Sequence, residues 1–393
     1  MNRDRLNAID LFLQHQYIDS GRLPGAVLHI CHRGRPVHVA ALGHADIAAN
    51  RPLAEDAIVR IYSMTKPITS VALMMLVEDG LVQIDDPVHR HIPAWRDLQV
   101  YVAGTHETGF ITRPPARPMQ ILDLLRHTSG LTYGFQNSSN IDAAYRARKV
   151  GELEKSGTLE GMIEDLAQLP LEFSPGDWWL YSVSTDVIGW LVEVISGQKF
   201  EQFVVERILG PLGMTDTGFH VPAGESARLA TCYMRDADGG LIVQDQAETS
   251  SFLETPSFIS GGGGLVSTAA DYMKFIEALR TGKPRLIGRK TLDLMTANHL
   301  PGGKYLQQMS KAAFSEAAYD GVGFGLGFAT TVDSPRTLVA GSNGDWFWGG
   351  AASTFFFVDP AEDLSVVFLT QFVPSSFYPI RRQLRSMIYA ALE

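Results

Sequence analysis

The chain has 393 residues, 33 Lys+Arg against 43 Asp+Glu for a formal net charge of −10, and a hydrophobic fraction of 45%. That apolar content supports a large core and excludes a disordered chain, which combines low hydrophobicity with high net charge. The acidic balance argues against a nucleic-acid partner, and Cys31 and Cys232 are too few for a disulfide framework or a C-x-x-C site.

Residues 4–18 carry Leu6, Ile9, Leu13 and Tyr17 at three- and four-residue steps, which predicts an amphipathic helix. Asp10, Gln14, His15 and Gln16 interrupt any leader-like apolar run, and no later stretch is long and apolar enough to span a membrane, so the expected location is cytoplasmic and reducing. Residues 25–31 and 36–43 read as strands joined by the turn at 32–35, a hairpin. Residues 63–78 read as a helix with Pro67 in its first turn and Gly80 beyond its end. Helical pieces are expected near 119–126 and 158–168, and a strong apolar helix over 183–196, closed by Gly197. Then come short β-branched or aromatic runs at 337–340, 353–358 and 364–370, with a hairpin loop at 359–363, and a closing helix over 379–392.

Strands at both ends and helices in the middle predict an α/β architecture of the α+β type. One antiparallel sheet is built from both termini and flanked by helices, with a mainly helical lobe inserted. The expected division is 1–80 with 255–393 for the sheet domain and 81–254 for the lobe, with the active site in the cleft between them. The run Gly261–Gly264 stands out as a loop.

No G-x-S-x-G, H-E-x-x-H, P-loop or G-x-G-x-x-G after a strand occurs. His29, His32, His38 and His44 fall in the predicted hairpin and read as surface or core residues, so no metal or cofactor is expected. What remains is Ser63-Met64-Thr65-Lys66. Positions three apart share a helix face, and the helix N-terminus favours developing negative charge at Ser63 while disfavouring an ammonium at Lys66. Lowering a lysine from about 10.4 to near 7 requires roughly 4–5 kcal/mol. About one S-x-x-K is expected by chance in such a chain. The second one here, Ser196-Gly197-Gln198-Lys199, ends a helix and so meets the wrong dipole end.

Two further features accompany Ser63. Tyr181, in Tyr181-Ser182-Val183, sits between a turn and a helix start. It reads either as a phenol that shuttles a proton or as an aromatic plug beside Trp178 and Trp179. In Trp346-Phe347-Trp348-Gly349-Gly350-Ala351, the paired glycines either let the backbone approach a substrate and offer an N–H to an oxyanion, or mark a simple strand-entry turn.

The order S-x-x-K, Y-S-V, W-G-G resembles the serine β-lactamase and penicillin-binding superfamily, and within it the family VIII carboxylesterases. Supporting segments are His127-Thr128-Ser129-Gly130-Leu131, Ser174-Pro175-Gly176-Asp177-Trp178, Gly210-Pro211-Leu212-Gly213-Met214 and Gly262-Gly263-Gly264-Leu265-Val266-Ser267-Thr268. The resemblance implies a β-lactamase-like fold, Ser63 as an acylated nucleophile, and Lys66 and Tyr181 as its proton-transfer partners, with the base between them left open. It also implies an oxyanion hole from the N–H groups of Ser63 and Ala351. Trp348 is expected as a substrate-facing wall, with Gly349 and Gly350 beside it, and His127 and Ser129 as structural. Tyr133 either lines the cleft or is a packed aromatic of the lobe.

Two departures matter. Val183 stands where the lactamases usually have Asn, and Trp348-Gly349-Gly350 stands where they usually place a cationic K-T-G. An indole in place of an ammonium removes a partner for substrate carboxylates. The expected activity is therefore hydrolysis of neutral, small-molecule carboxylic esters of short-to-medium acyl length. The alternatives are a β-lactamase or D-Ala-D-Ala peptidase, an acyltransferase on the same site, and a catalytically silent binding protein.

Overall fold

The architecture is taken from a computed structural model, which describes residues 1–152, 156–236, 239–311, 320–375 and 377–393. Its main sheet uses strands from both ends of the chain. We number these β1 (Gly25–His32), β2 (Arg35–Asp46), β3 (Arg51–Pro52), β4 (Val322–Phe324), β5 (Ala329–Thr331), β6 (Trp346–Gly349), β7 (Phe355–Asp359) and β8 (Leu364–Leu369). The spatial order is β4-β5-β6-β7-β8-β1-β2-β3, antiparallel throughout. The two chain ends meet at β1 and β8, with Val27 opposite Leu369 and Ile30 opposite Val366.

Period-two alternation assigns the faces of this sheet. Leu28, Ile30, Phe355, Phe357, Val366 and Phe368 point to an outer core with two amphipathic helices, α1 (Arg3–Leu13) and α5 (Ile380–Tyr389). Those helices contribute Leu6, Ile9 and Leu13, and Ile380, Leu384 and Ile388, at three- and four-residue steps. The intervening strand residues Val27, Cys31, Phe356, Val358, Val367 and Leu369 face the larger inner core. Helices α2 (Thr65–Glu78), α3 (Ser184–Ser196) and α4 (Ala269–Thr281) belong to that core. Helix α2 is buried nearly all round, from Thr65 to Leu76, as expected of a helix packed on every side. Helix α3 ends at Gly197, whose φ of +71° needs a residue without a Cβ.

Two short pairings fix the surroundings of residue 63. Val59–Arg60 pairs antiparallel with Val266–Ser267, which ties the chain just before Ser63 to the glycine loop at 261–264. The hairpin Cys232–Arg235/Leu241–Asp245 pairs in parallel with Phe372–Val373.

One expected strand is absent. Residues 337–340 close a helical turn, Ser334–Thr337, and Leu338 is exposed with a φ of +55°. Pro335 presets the helical φ, and Thr337-Leu338-Val339 is too short an apolar run to outweigh it. The strands before β6 are β4 and β5, and the glycines around β4 at 321, 323 and 325 hid it as a loop. The lobe expected to be mainly helical also contains the hairpin Val100–Thr105/Gly109–Arg113.

Candidate active site

Ser63 is the middle residue of a tight turn, Tyr62–Met64, that leads directly into α2. Its N–H lies in the first turn, where no helical acceptor exists. Tyr62 is held at a φ of +41°, a backbone state that a bulky residue adopts only under constraint. The constraint is visible on both sides: the Tyr62 ring meets Phe252 edge to face, and Tyr272 Oη donates to the Met64 carbonyl at 2.9 Å. Sequence offers no sign of this strain, which falls on the residue just before Ser63.

Lys66 follows one turn later and is 2% exposed. Its Nζ donates to the Gly262 carbonyl at 2.7 Å, to Tyr133 Oη at 3.1 Å and to Ser63 Oγ at 3.2 Å. It also lies 4.5 Å from the centroid of the Tyr181 ring and 5.3 Å from that of Tyr133. Ser63, Lys66, Tyr133 and Tyr181 are thus gathered at one point, from the start of α2 and the segments before and after 133 and 181.

The two phenols are held neutral. Burial pushes the Tyr181 hydroxyl up, while hydrogen bonding with Ser63 and Trp348 works against that rise. Burial also pushes Tyr133 well up, reinforced by the charge of Asp186 and by Tyr181. Tyr133 is a packed aromatic whose ring stacks on Phe135 at 4.6 Å between centroids, and its hydroxyl accepts from Lys66 Nζ.

His127 is fully enclosed, 5.0 Å from the Tyr181 ring, with Nδ1 3.2 Å from Ser182 Oγ. Burial first, and then the Lys66 charge, drive its pKa well below the usual imidazole range, which leaves a neutral packing residue. Ser129 joins the same buried chain through Ser184 at 2.8 Å.

Two contributors escaped the sequence reading. The Gly262 carbonyl is the shortest of the Lys66 acceptors. It is presented by a loop clamped by Asp186, which is buried and whose Oδ1 accepts from Ser260 Oγ at 2.5 Å and from Gly262 N–H at 3.0 Å. A Cβ at Gly262 would meet Asp186 Oδ2 and the Tyr133 hydroxyl, so only glycine fits there. The G-G-G-G run was the one available signal.

Gly350 approaches the Ser63 turn closely: a Cβ on it would collide with the Ile61 carbonyl. Ala351 follows, partly exposed, and its N–H has no acceptor among the described residues. Trp348, expected to face substrate, is 2% exposed and packs on Tyr181 at 5.5 Å and on Phe324 at 5.3 Å between centroids. The indole forms the apolar backing of Tyr181. Lys199 of the second S-x-x-K pairs with Glu193 on the surface, away from any such cluster.

A helix-flanked antiparallel sheet with a Ser–Lys–Tyr cluster at the start of a buried helix defines a class of active-site serine enzymes that handle acyl groups. The chain belongs to the beta-lactamase family, whose sequence model, Beta-lactamase, matches residues 13–387. It is 30% identical over 392 residues to esterase EstB of Burkholderia gladioli, covering 95% of this chain and 93% of EstB. Lovastatin esterase of Penicillium rubens is 29% identical over 367 residues, 88% of each chain. The solved structure of EstCE1, described as a hydrolase with promiscuous acyltransferase activity, superposes with a TM-score of 0.82 at 28% identity, over 98% of this chain and 99% of that one. The fold is therefore β-lactamase-like, and the relatives place the chain among serine hydrolases of the esterase or acyltransferase kind. Among the described residues no helix is long and apolar enough to cross a membrane.

Proposed function

We propose that the protein is a serine carboxylesterase. Ser63 Oγ attacks the ester carbonyl, and its proton passes into the Lys66–Tyr181 pair, which acts in its singly deprotonated form, Lys66 amine beside Tyr181 phenol. The N–H groups of Ser63 and Ala351 receive the oxyanion. Collapse of the adduct breaks the bond to the leaving oxygen, which takes that proton and departs as an alcohol. Water then adds to the acyl carbonyl, the same pair accepts and returns a proton, and the acid is released with Ser63 restored.

The observation that carries this reading is the single point of contact at Lys66 Nζ, 3.2 Å from Ser63 Oγ and 4.5 Å from the Tyr181 ring centroid. Lys66 and Tyr181 exchange the proton as a coupled unit, so no separate base is assigned. The choice of neutral esters is supported by Trp348, an indole packed behind Tyr181 in place of an ammonium.

Ser63→Ala should abolish both turnover of p-nitrophenyl butyrate and labelling by a fluorophosphonate. Retained turnover overturns the proposal. A cephalosporin turned over faster than the ester would replace it with a lactamase reading. Transfer to an added alcohol is a second reading on the same acyl-enzyme, favoured by the likeness to EstCE1. It predicts that alcohol acceptors divert product from acid to new ester.

A further inference from the structure

Behind the W-G-G segment lies a residue that none of its motifs includes. Arg381, the second residue of α5, is partly buried, and its Nη2 donates to the carbonyls of Thr354 at 3.0 Å and Gly350 at 3.2 Å. The Thr354 carbonyl also accepts the Gly350 N–H at 2.9 Å, and the Gly350 carbonyl also accepts the Ser353 N–H at 3.1 Å. A Cβ on Gly349 would collide with the Arg381 guanidinium. The adjacent glycines therefore serve two approaches at once: at Gly349 the cation reaches the strand, and at Gly350 the strand reaches the Ser63 turn.

The Gly350 carbonyl and the Ala351 N–H are two ends of one peptide group. A hydrogen bond from a cation to the carbonyl end draws electron density out of the amide and makes the N–H a stronger donor. It also fixes the peptide plane, so that the N–H needs no reorientation as charge develops. A partly buried guanidinium is costly to maintain. Desolvation pushes Arg381 down to about 10.

We propose that Arg381 is a positioning residue for the oxyanion hole, holding and polarising the Gly350–Ala351 peptide through its carbonyl so that the Ala351 N–H receives the oxyanion of a neutral ester. This rests on the reading of Ala351 as an oxyanion donor given above. It resolves an apparent gap. Trp348 leaves the W-G-G strand without the cation of a K-T-G, while Arg381 reaches the backbone of the same segment from α5.

The test compares Arg381→Met, Arg381→Gln and Arg381→Lys with the parent enzyme, each checked for folding by urea denaturation. Two readouts are taken: steady-state hydrolysis of p-nitrophenyl butyrate, and the infrared carbonyl stretch of a slowly deacylating acyl-enzyme trapped on Ser63. Arg381→Met should lower kcat by about 10–100-fold with KM changed far less, since weakening an oxyanion donor acts on the transition state. The acyl carbonyl band, lowered in the parent enzyme by the hole, should move to higher wavenumber, and Arg381→Lys should recover part of both effects. If the Met variant does not fold, Gln against Lys carries the same comparison, because only Lys keeps the charge. A folded neutral variant with unchanged kcat, or one whose activity falls while the band stays in place, overturns the proposal. A parent acyl-enzyme with no lowered band overturns the oxyanion-hole reading as well, so the two failures are distinguishable.

Discussion

At the scale of single residues, Lys66 is the pivot, and its neighbours divide into those visible in the sequence and those that are not. Ser63 could be singled out by its three-residue spacing from Lys66, and Tyr181 only by the resemblance that its Y-S-V segment supports. The Gly262 carbonyl could not, since every residue has one, and Arg381 reads as an ordinary charge on an amphipathic terminal helix. Tyr133 donates nothing to Lys66 but accepts from it at 3.1 Å. Tyr133→Phe keeps the stack on Phe135 and removes that acceptor, so kcat should fall by about 5–30-fold, the equivalent of one hydrogen bond to a charged group. Tyr181→Phe should cost more, about 100-fold or above, as expected for a group that moves a proton; equal losses in the two variants would contradict this ranking. His127 gives a pH prediction. Its folded pKa is depressed by burial, so above the unfolded value the protein keeps full stability. As pH falls below about 6.5 the unfolded chain takes up a proton that the folded chain refuses, and stability drops by up to about 1.4 kcal/mol per pH unit. Urea midpoints measured between pH 7 and 5.5 should show this slope, and it should flatten in His127→Gln.

Among the elements, β6 and α2 matter most, because Gly350, just after β6, meets Ile61, just before the turn that opens α2. Most helices could be read from periodicity and caps: the start of α2 near Ser63, its stop at Gly80, the end of α3 at Gly197. Strands were harder. Those with long β-branched or aromatic runs, such as β7 and β8, were legible, whereas β4 and β5 are three residues each and sit among glycines. Their strand character comes from pairing with β6, which is tertiary and leaves little local trace. The meeting of β6 and α2 is testable. Gly350→Ala pushes a methyl into the Ile61 carbonyl, and overpacking of this kind costs about 1–3 kcal/mol. A lower urea midpoint together with loss of more than nine-tenths of the esterase activity is expected, because relief of the clash separates Ala351 from Ser63. Full activity would show that the two elements are not held in register there.

For the molecule as a whole, composition foretold a large core, and the order of helices and strands foretold a sheet made from both termini. The sequence held no comparable signal for the burial of Trp348, which depends on the packing of Phe324 and Tyr181 from distant parts of the chain. The outer core between the sheet and the terminal helices is separate from the inner core that contains Tyr133 and Tyr181, and Leu384 is fully buried within it. Leu384→Ala should destabilise the protein by about 2–5 kcal/mol without changing the urea m-value, and activity per folded molecule should survive.

The pairing of β1 with β8 has a consequence for how the protein is made. During synthesis the first hairpin leaves the ribosome more than three hundred residues before its partner strand does. Until then β1 has an open hydrogen-bonding edge and unburied apolar residues on both faces, the condition that invites pairing with other chains. The sheet can close only once β8 has emerged, so its folding is largely post-translational and its contact order is high. A chain released early would lack the sheet's centre and, with it, the strand that brings Ala351 to Ser63.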